Sequence, residues 1–221
     1  MFRRALIGIV LLAALPTTAA AQPYVGSHAS HRGSFEVGGG VVWTGGYDAG
    51  SANAHETTVG TAPITLFVVD GKVRSGTGAA VQIGVYLGRR VSAEAAFHYT
   101  RPILRAHLSS DFESASETDA DTRIASYIVG GSLLYHFGDG RWVPFVSGGG
   151  GYLRQLHEDN ADLLTGTEVH AGGGLKFWVG SGKRRLGLRL DAQASARSTS
   201  VAFEEKRRLV PTFAAGMTYR F

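Results

Sequence analysis

The sequence predicts an all-β fold, an antiparallel up-and-down barrel of eight long strands. Three observations carry this. Apolar residues alternate with period two through eight segments, and no segment downstream of the first 21 residues follows the i, i+3, i+4 spacing of a helix. The connections between those segments alternate strictly between tight and long. Glycine, 31 of 221 residues, reaches about 14%, roughly twice ordinary usage. The composition excludes the other broad classes. At 44% hydrophobic the chain is too apolar for disorder, and a mean hydropathy of +0.01 is too low for a bundle of membrane helices. With no Cys there is no disulfide, no Cys-bound zinc and no thiol chemistry.

The elements follow in order. Met1-Phe2-Arg3-Arg4 is a basic start, residues 5–15 are apolar, and Ala19-Ala20-Ala21 before Gln22 fits small-x-small cleavage. That run is too short to span a bilayer as a helix, which needs about 20 residues. Residues 1–21 are therefore expected to be a cleaved signal peptide, 22–33 a short periplasmic segment and 34–221 the barrel domain. Removing Arg3 and Arg4 lowers the formal net charge from +4 to +2, which argues against a nucleic-acid partner.

The expected strands cover residues 35–43, 79–87, 91–99, 127–137, 142–154, 169–179, 186–196 and 213–221. They are longer than the strands of soluble sheets and match the roughly 9 to 11 tilted residues of a membrane strand. The facing of the fifth is open, because Gly148 to Gly151 carry no side chains. Residues 88–90, 138–141 and 181–184 read as tight turns at one rim; roughly 45–78, 105–122, 155–166 and 199–208 read as long polar loops at the other. Within the first loop, 64–77 reads as a small hairpin turning at Asp70-Gly71.

The polar face decides which way the barrel is turned. Opposite the apolar series lie four acids, Glu36, Glu94, Glu168 and Asp191, and three bases, Lys176, Arg189 and Arg220. As the solvent face of a soluble ligand-binding barrel this set is poor in charge. As a narrow lumen it is near neutral, which burial demands. Ile124, Ile128 and Leu134 depart from the alternation and fall on the inner face. Aromatic residues gather at two heights, Phe35, Tyr135, Phe137, Phe177, Tyr219 and Phe221 below and Trp43, Phe97, Tyr99 and Tyr127 above. Two belts are what the interfaces of a bilayer select.

The last residues, with Phe213, Met217, Tyr219 and the terminal Phe221 in alternation, resemble the C-terminal signal that the barrel-assembly machinery reads in outer-membrane barrels. With the signal peptide and eight strands, residues 33–221 are similar to the small barrels of the OmpA membrane-domain, OmpX and OmpW type. The resemblance implies an outer-membrane location in a Gram-negative bacterium.

Other motifs carry less. Gly148 to Gly151 lie inside a strand with no helix after them, so they read as small residues for curvature and not as a phosphate cradle. Gly182-Lys183 fails the P-loop pattern at Phe177 and Arg184. His107-Leu108-Ser109, with Glu113 nearby, is similar to the His-x-Ser element of lipid A deacylases. His98 and His170 read as hydrogen-bonded lumen residues. Arg101, Arg105, Arg123, Arg154 and Arg197, with the 206–208 basic run, ring the upper edge where lipopolysaccharide phosphates lie. Asp111, Glu113, Glu117, Asp119 and Asp121 read as a solvated acidic loop.

The expected function is that of an integral outer-membrane protein with a plugged polar lumen and four surface loops, structural or surface-interacting. It is not an enzyme and has no cofactor or metal. It is a monomer whose partners are lipid, lipopolysaccharide and, during biogenesis, the assembly machinery. The alternatives are a lipid A-modifying enzyme and a small-solute transporter of OmpW type.

Overall fold

The computed structural model describes residues 32–56, 64–109, 118–157, 163–179, 185–199 and 207–221. The expected signal peptide, the turn at 181–184 and most of the acidic segment lie outside them. Among the described residues eleven strands form: β1 (Phe35–Thr44), β2 (Tyr47–Glu56), β3 (Ile64–Val73), β4 (Gly76–Tyr86), β5 (Val91–Thr100), β6 (Ile103–Ser109), β7 (Thr118–His136), β8 (Trp142–His157), β9 (Leu163–Trp178), β10 (Leu186–Thr199) and β11 (Arg208–Arg220).

Eight of them close a ring in the order β1-β4-β5-β7-β8-β9-β10-β11, every neighbour antiparallel and β11 pairing back onto β1. Each coincides with an expected segment. The alternation has the expected sense. Leu188 is 47% exposed while the adjoining Arg189 is 3% exposed, and the same inversion runs round the ring. An aqueous barrel would turn its apolar residues the other way, so the wall is built for acyl chains. On β8 the open facing is now assigned: Val146 and Tyr152 point out, while Phe145 and Leu153 are buried inside.

The other three strands correct the expectation for the first long loop. Residues 64–77 are not a hairpin; β3 runs straight through Asp70-Gly71. Its partner is β2, and the pairing absorbs Gly71 opposite Gly50, next to a register shift at Asp48/Gly50. Gly50 takes a φ of 93°, so the irregularity that Asp-Gly foreshadows is a bulge and not a turn. On its far side β3 pairs β6, and β6 pairs the upper end of β7. The result is a second sheet, β2-β3-β6-β7, standing on the barrel's upper rim.

Each of β2, β3 and β6 continues a barrel strand after a corner. At Gly46 a Cβ would lie 2.5 Å from the Val73 carbonyl oxygen, and at Gly76 2.7 Å from the Pro102 nitrogen, so the corners pack backbone on backbone. The strand β7 alone is continuous across the junction. It pairs β8 only from Ile124 downward and β6 only from Arg123 upward. The β1–β11 ladder likewise stops at Thr44↔Thr212, with a last bond from Gly45 N–H to the Pro211 carbonyl, 2.8 Å. Pro211 has no N–H to return. Above it β11 stays with β10 and β2 leaves with β3, so the wall is split there.

Candidate functional site

The lumen holds three tiers of polar side chains. At the lower end Glu36 of β1 accepts from Lys176 Nζ at 2.5 Å, Thr218 Oγ1 at 2.8 Å and Tyr86 Oη at 3.0 Å. Arg220 closes the tier, donating to Tyr86 Oη at 2.9 Å and stacking 3.9 Å over Trp178. Glu36, Tyr86, Lys176, Trp178 and Thr218 are buried, Lys176 to 1% exposure, and Arg220 is half-buried. The middle tier is a clamp. Arg189 grips Glu94 with Nη1 and Nη2 at 2.5 and 3.0 Å and turns Nε to Asp191 at 2.9 Å. Phe145 lies under both cations, 5.6 Å from Lys176 Nζ and 5.0 Å from the Arg189 guanidinium. In the upper tier Arg197 Nε meets Glu168 at 2.9 Å.

Arg197 is a correction. Expected on the lipopolysaccharide-facing rim, it is 5% exposed and points inward. The reason is the parity of β10: Arg189, Asp191, Gln193, Ser195 and Arg197 share one face, and Ala192, Ala194 and Ala196 share the other. Its arrival completes the balance. Four lumen carboxylates face four cations, Lys176, Arg189, Arg197 and Arg220, where three were expected. Sequence reasoning also missed Tyr86, which alternation on β4 places inside, and the Ser92–His136 pair at 2.9 Å.

One row resembles a hydrolytic relay. Ser132 Oγ lies 2.8 Å from His170 Nε2, and His170 Nδ1 lies 3.5 Å from Glu168. The contact is made over Gly149, which pairs with both residues across β8 and has no side chain to separate them. Acyl transfer further needs free donors for the oxyanion, and the wall strands here commit their backbone N–H groups to ladders on both sides. The adjoining cavity, lined by Gln82, Glu94, His98, Ser132, His170 and Gln193 among others, measures about 40 Å³, room for a few waters. His107 and Ser109 stand on β6 and not in a loop; Glu113 lies outside the described residues.

At the rim the five arginines separate. Arg105 donates to Asp121 from Nε at 2.8 Å and from Nη2 at 3.0 Å, a pair on the second sheet. Those hydrogen bonds hold the Asp121 carboxyl below its usual range. Arg101, Arg123 and Arg154 remain exposed on the outer wall. Asp111, Glu113 and Glu117 lie outside the described residues, while Asp119 and Asp121 belong to β7. On the last strand Phe213, Met217, Tyr219 and Phe221 all face outward. Phe221 N–H reaches the Phe35 carbonyl at 2.9 Å and so fastens the end of the chain to its first strand.

The aromatic belts are in place. Trp142–Phe177 and Tyr219–Phe221 meet at the lower edge, at 4.3 and 4.9 Å between centroids. Trp43–Phe213 and Tyr99–Tyr127 meet at the upper, at 5.7 and 5.1 Å. Apolar wall, belts and charged interior together describe a membrane barrel. The fold is that of a small outer-membrane barrel.

No family model and no curated protein matches the sequence. Among solved structures the chain is similar to the outer membrane protein OprG from Pseudomonas aeruginosa, with a TM-score of 0.60 and 12% identity over 87% of this chain and 98% of that one. It is also similar to Neisserial surface protein A, with a TM-score of 0.54 and 13% identity over 86% of this chain and all of the other. At such identities the likeness is one of fold.

Proposed function

We propose that the mature chain is an integral outer-membrane protein of a Gram-negative bacterium, a monomeric scaffold with a plugged lumen that holds the β2-β3-β6-β7 sheet above the outer leaflet. The observation that carries this is the lumen. Every carboxylate in it is met by a buried cation, and the lower tier fills the periplasmic end from Glu36 to Trp178. A barrel of eight strands is about wide enough for its own side chains, and the three tiers supply them. On this reading the protein is no enzyme and has no cofactor, and its partners are lipid, lipopolysaccharide and the assembly machinery that reads Phe213 to Phe221. Planar-bilayer recording tests it: the expected result is no stable conductance, and large steady channels would overturn it.

A second reading, transport of the OmpW type, is favoured by one feature. Above Pro211 β2 and β11 share no ladder, which is a lateral break in the wall. If small apolar solutes enter there, Pro211→Ala, which restores a donor facing β2, will slow their uptake into cells. The deacylase alternative lacks support at His107, and unchanged lipid A mass spectra with and without the protein will remove it.

A further inference from the structure

The exposed arginines that survive at the rim are not scattered. Tyr99 of β5 pairs directly with Tyr127 of β7, and Tyr127 with Arg154 of β8, so these three form one row on the outer wall at the height of the upper belt. Arg101 follows one residue beyond the Thr100↔Ser126 pair, and its guanidinium lies 5.5 Å over the Tyr99 ring. Arg123 stands four residues above Tyr127 on the same face of β7. Neighbouring strands are about 4.8 Å apart and four residues rise about 13 Å, so three long side chains can reach toward the two tyrosine rings from beside and above.

Two of the three cations differ from their neighbour Arg105. Neither Arg123 nor Arg154 has a carboxylate partner among the described residues, whereas Arg105, one step higher, is held by Asp121. A cation on the lipid side of a barrel wall is tolerated near the interface and costly at mid-depth, and arginine stems lie along apolar surface with the head raised. Two guanidiniums without a carboxylate among the described residues, at that height, suit anions supplied by the membrane. Beneath the row the wall changes character. Ala95, Gly131 and Gly150 pair in line across β5, β7 and β8 and face outward, leaving a shallow trough below the aromatic side chains.

We infer that Arg101, Arg123 and Arg154 with Tyr99 and Tyr127 form a binding site for the phosphorylated disaccharide of lipid A. The guanidiniums take the phosphates, the tyrosine rings underlie the sugar, and one acyl chain lies in the trough over Ala95, Gly131 and Gly150. Among membrane lipids, several phosphates on one rigid sugar core, with chains hanging below, match this combination; a single-phosphate glycerolipid does not use three cations. The inference rests on the outer-membrane reading and adds a location and a ligand to it.

The test is native mass spectrometry of the detergent-solubilised mature barrel titrated with bis-phosphorylated lipid A, monophosphoryl lipid A or phosphatidylglycerol. Bis-phosphorylated lipid A is expected to bind best, and the triple variant Arg101→Gln, Arg123→Gln, Arg154→Gln to weaken it about tenfold or more while keeping heat-modifiable gel mobility. Arg105→Gln is expected to leave binding unchanged. Should the triple variant not fold, Arg154→Gln alone carries the test, with a loss approaching tenfold expected. Equal binding of phosphatidylglycerol, equal loss in Arg105→Gln, or undiminished binding in the folded triple variant overturns the site and leaves the membrane scaffold standing. A chain recovered from cells without detergent overturns the scaffold and the site together.

Discussion

Arg189 shows how a single residue is committed. Its guanidinium spends donors on two carboxylates at once, and Glu94 and Asp191 have no other cation as close. Replacing it by Met leaves two carboxylates facing one another out of water, a loss of about 3–5 kcal/mol for breaking a buried pair. Urea titration of the variant refolded into lipid vesicles will measure this, and a midpoint equal to that of the parent protein would refute it. Tyr86→Phe removes a donor to Glu36 and an acceptor for Arg220 while conserving the ring. Its expected cost is smaller, about 1–3 kcal/mol, and the same titration reads it. Residue by residue, alternation reports on facing even where composition misleads. Arg197 belongs by composition with the rim bases and by its position on β10 with the lumen, and the strand's parity prevails.

At the scale of the strand, cost depends on depth. Leu190 sits midway along β10 on the outer face, and Leu209 sits above the Trp43–Phe213 contact on β11. Leu190→Arg is expected to destabilise the inserted barrel by about 2–4 kcal/mol and Leu209→Arg by at most about 1 kcal/mol. Vesicle unfolding of the two variants side by side checks it; equal effects would mean that the wall does not meet lipid as described. The strands that the sequence does not reveal are β2, β3 and β6. Nothing within β3 announces that it will pair β2 and β6, because the pairing depends on β7 parting from β8 at Ile124 and on β11 ending its ladder at Pro211. The Asp70-Gly71 pair carries a strong local signal for a two-residue turn, and tertiary pairing overrides it.

The whole molecule is held together by contacts between the ends of the chain. Thr218 reaches Glu36 across 182 positions, and β1 seals the ring against β11. Closure of so long a loop is slow, so the native barrel is expected to assemble late and as a unit. Mature protein extracted in detergent should therefore migrate differently before and after boiling, and partial proteolysis of the unboiled form should cut within the surface segments while sparing β4, β5 and β8–β11. A single mobility at all temperatures would contradict a closed ring.

The sequence by itself determines the eight strands of the ring and, β8 apart, which face of each meets lipid. Those depend on a period of two, and a membrane barrel writes that period plainly because lipid lies on one side of every strand and a crowded interior on the other. It also supplies most of the ion set of the lumen, for the same reason. Tertiary structure alone decides which cation meets which carboxylate, that Arg197 balances the fourth, that Tyr99, Tyr127 and Arg154 share one row of the wall, and that a second sheet stands on the rim. These outcomes depend on register between strands far apart in the chain, and register is a property of the pairing, not of any one segment.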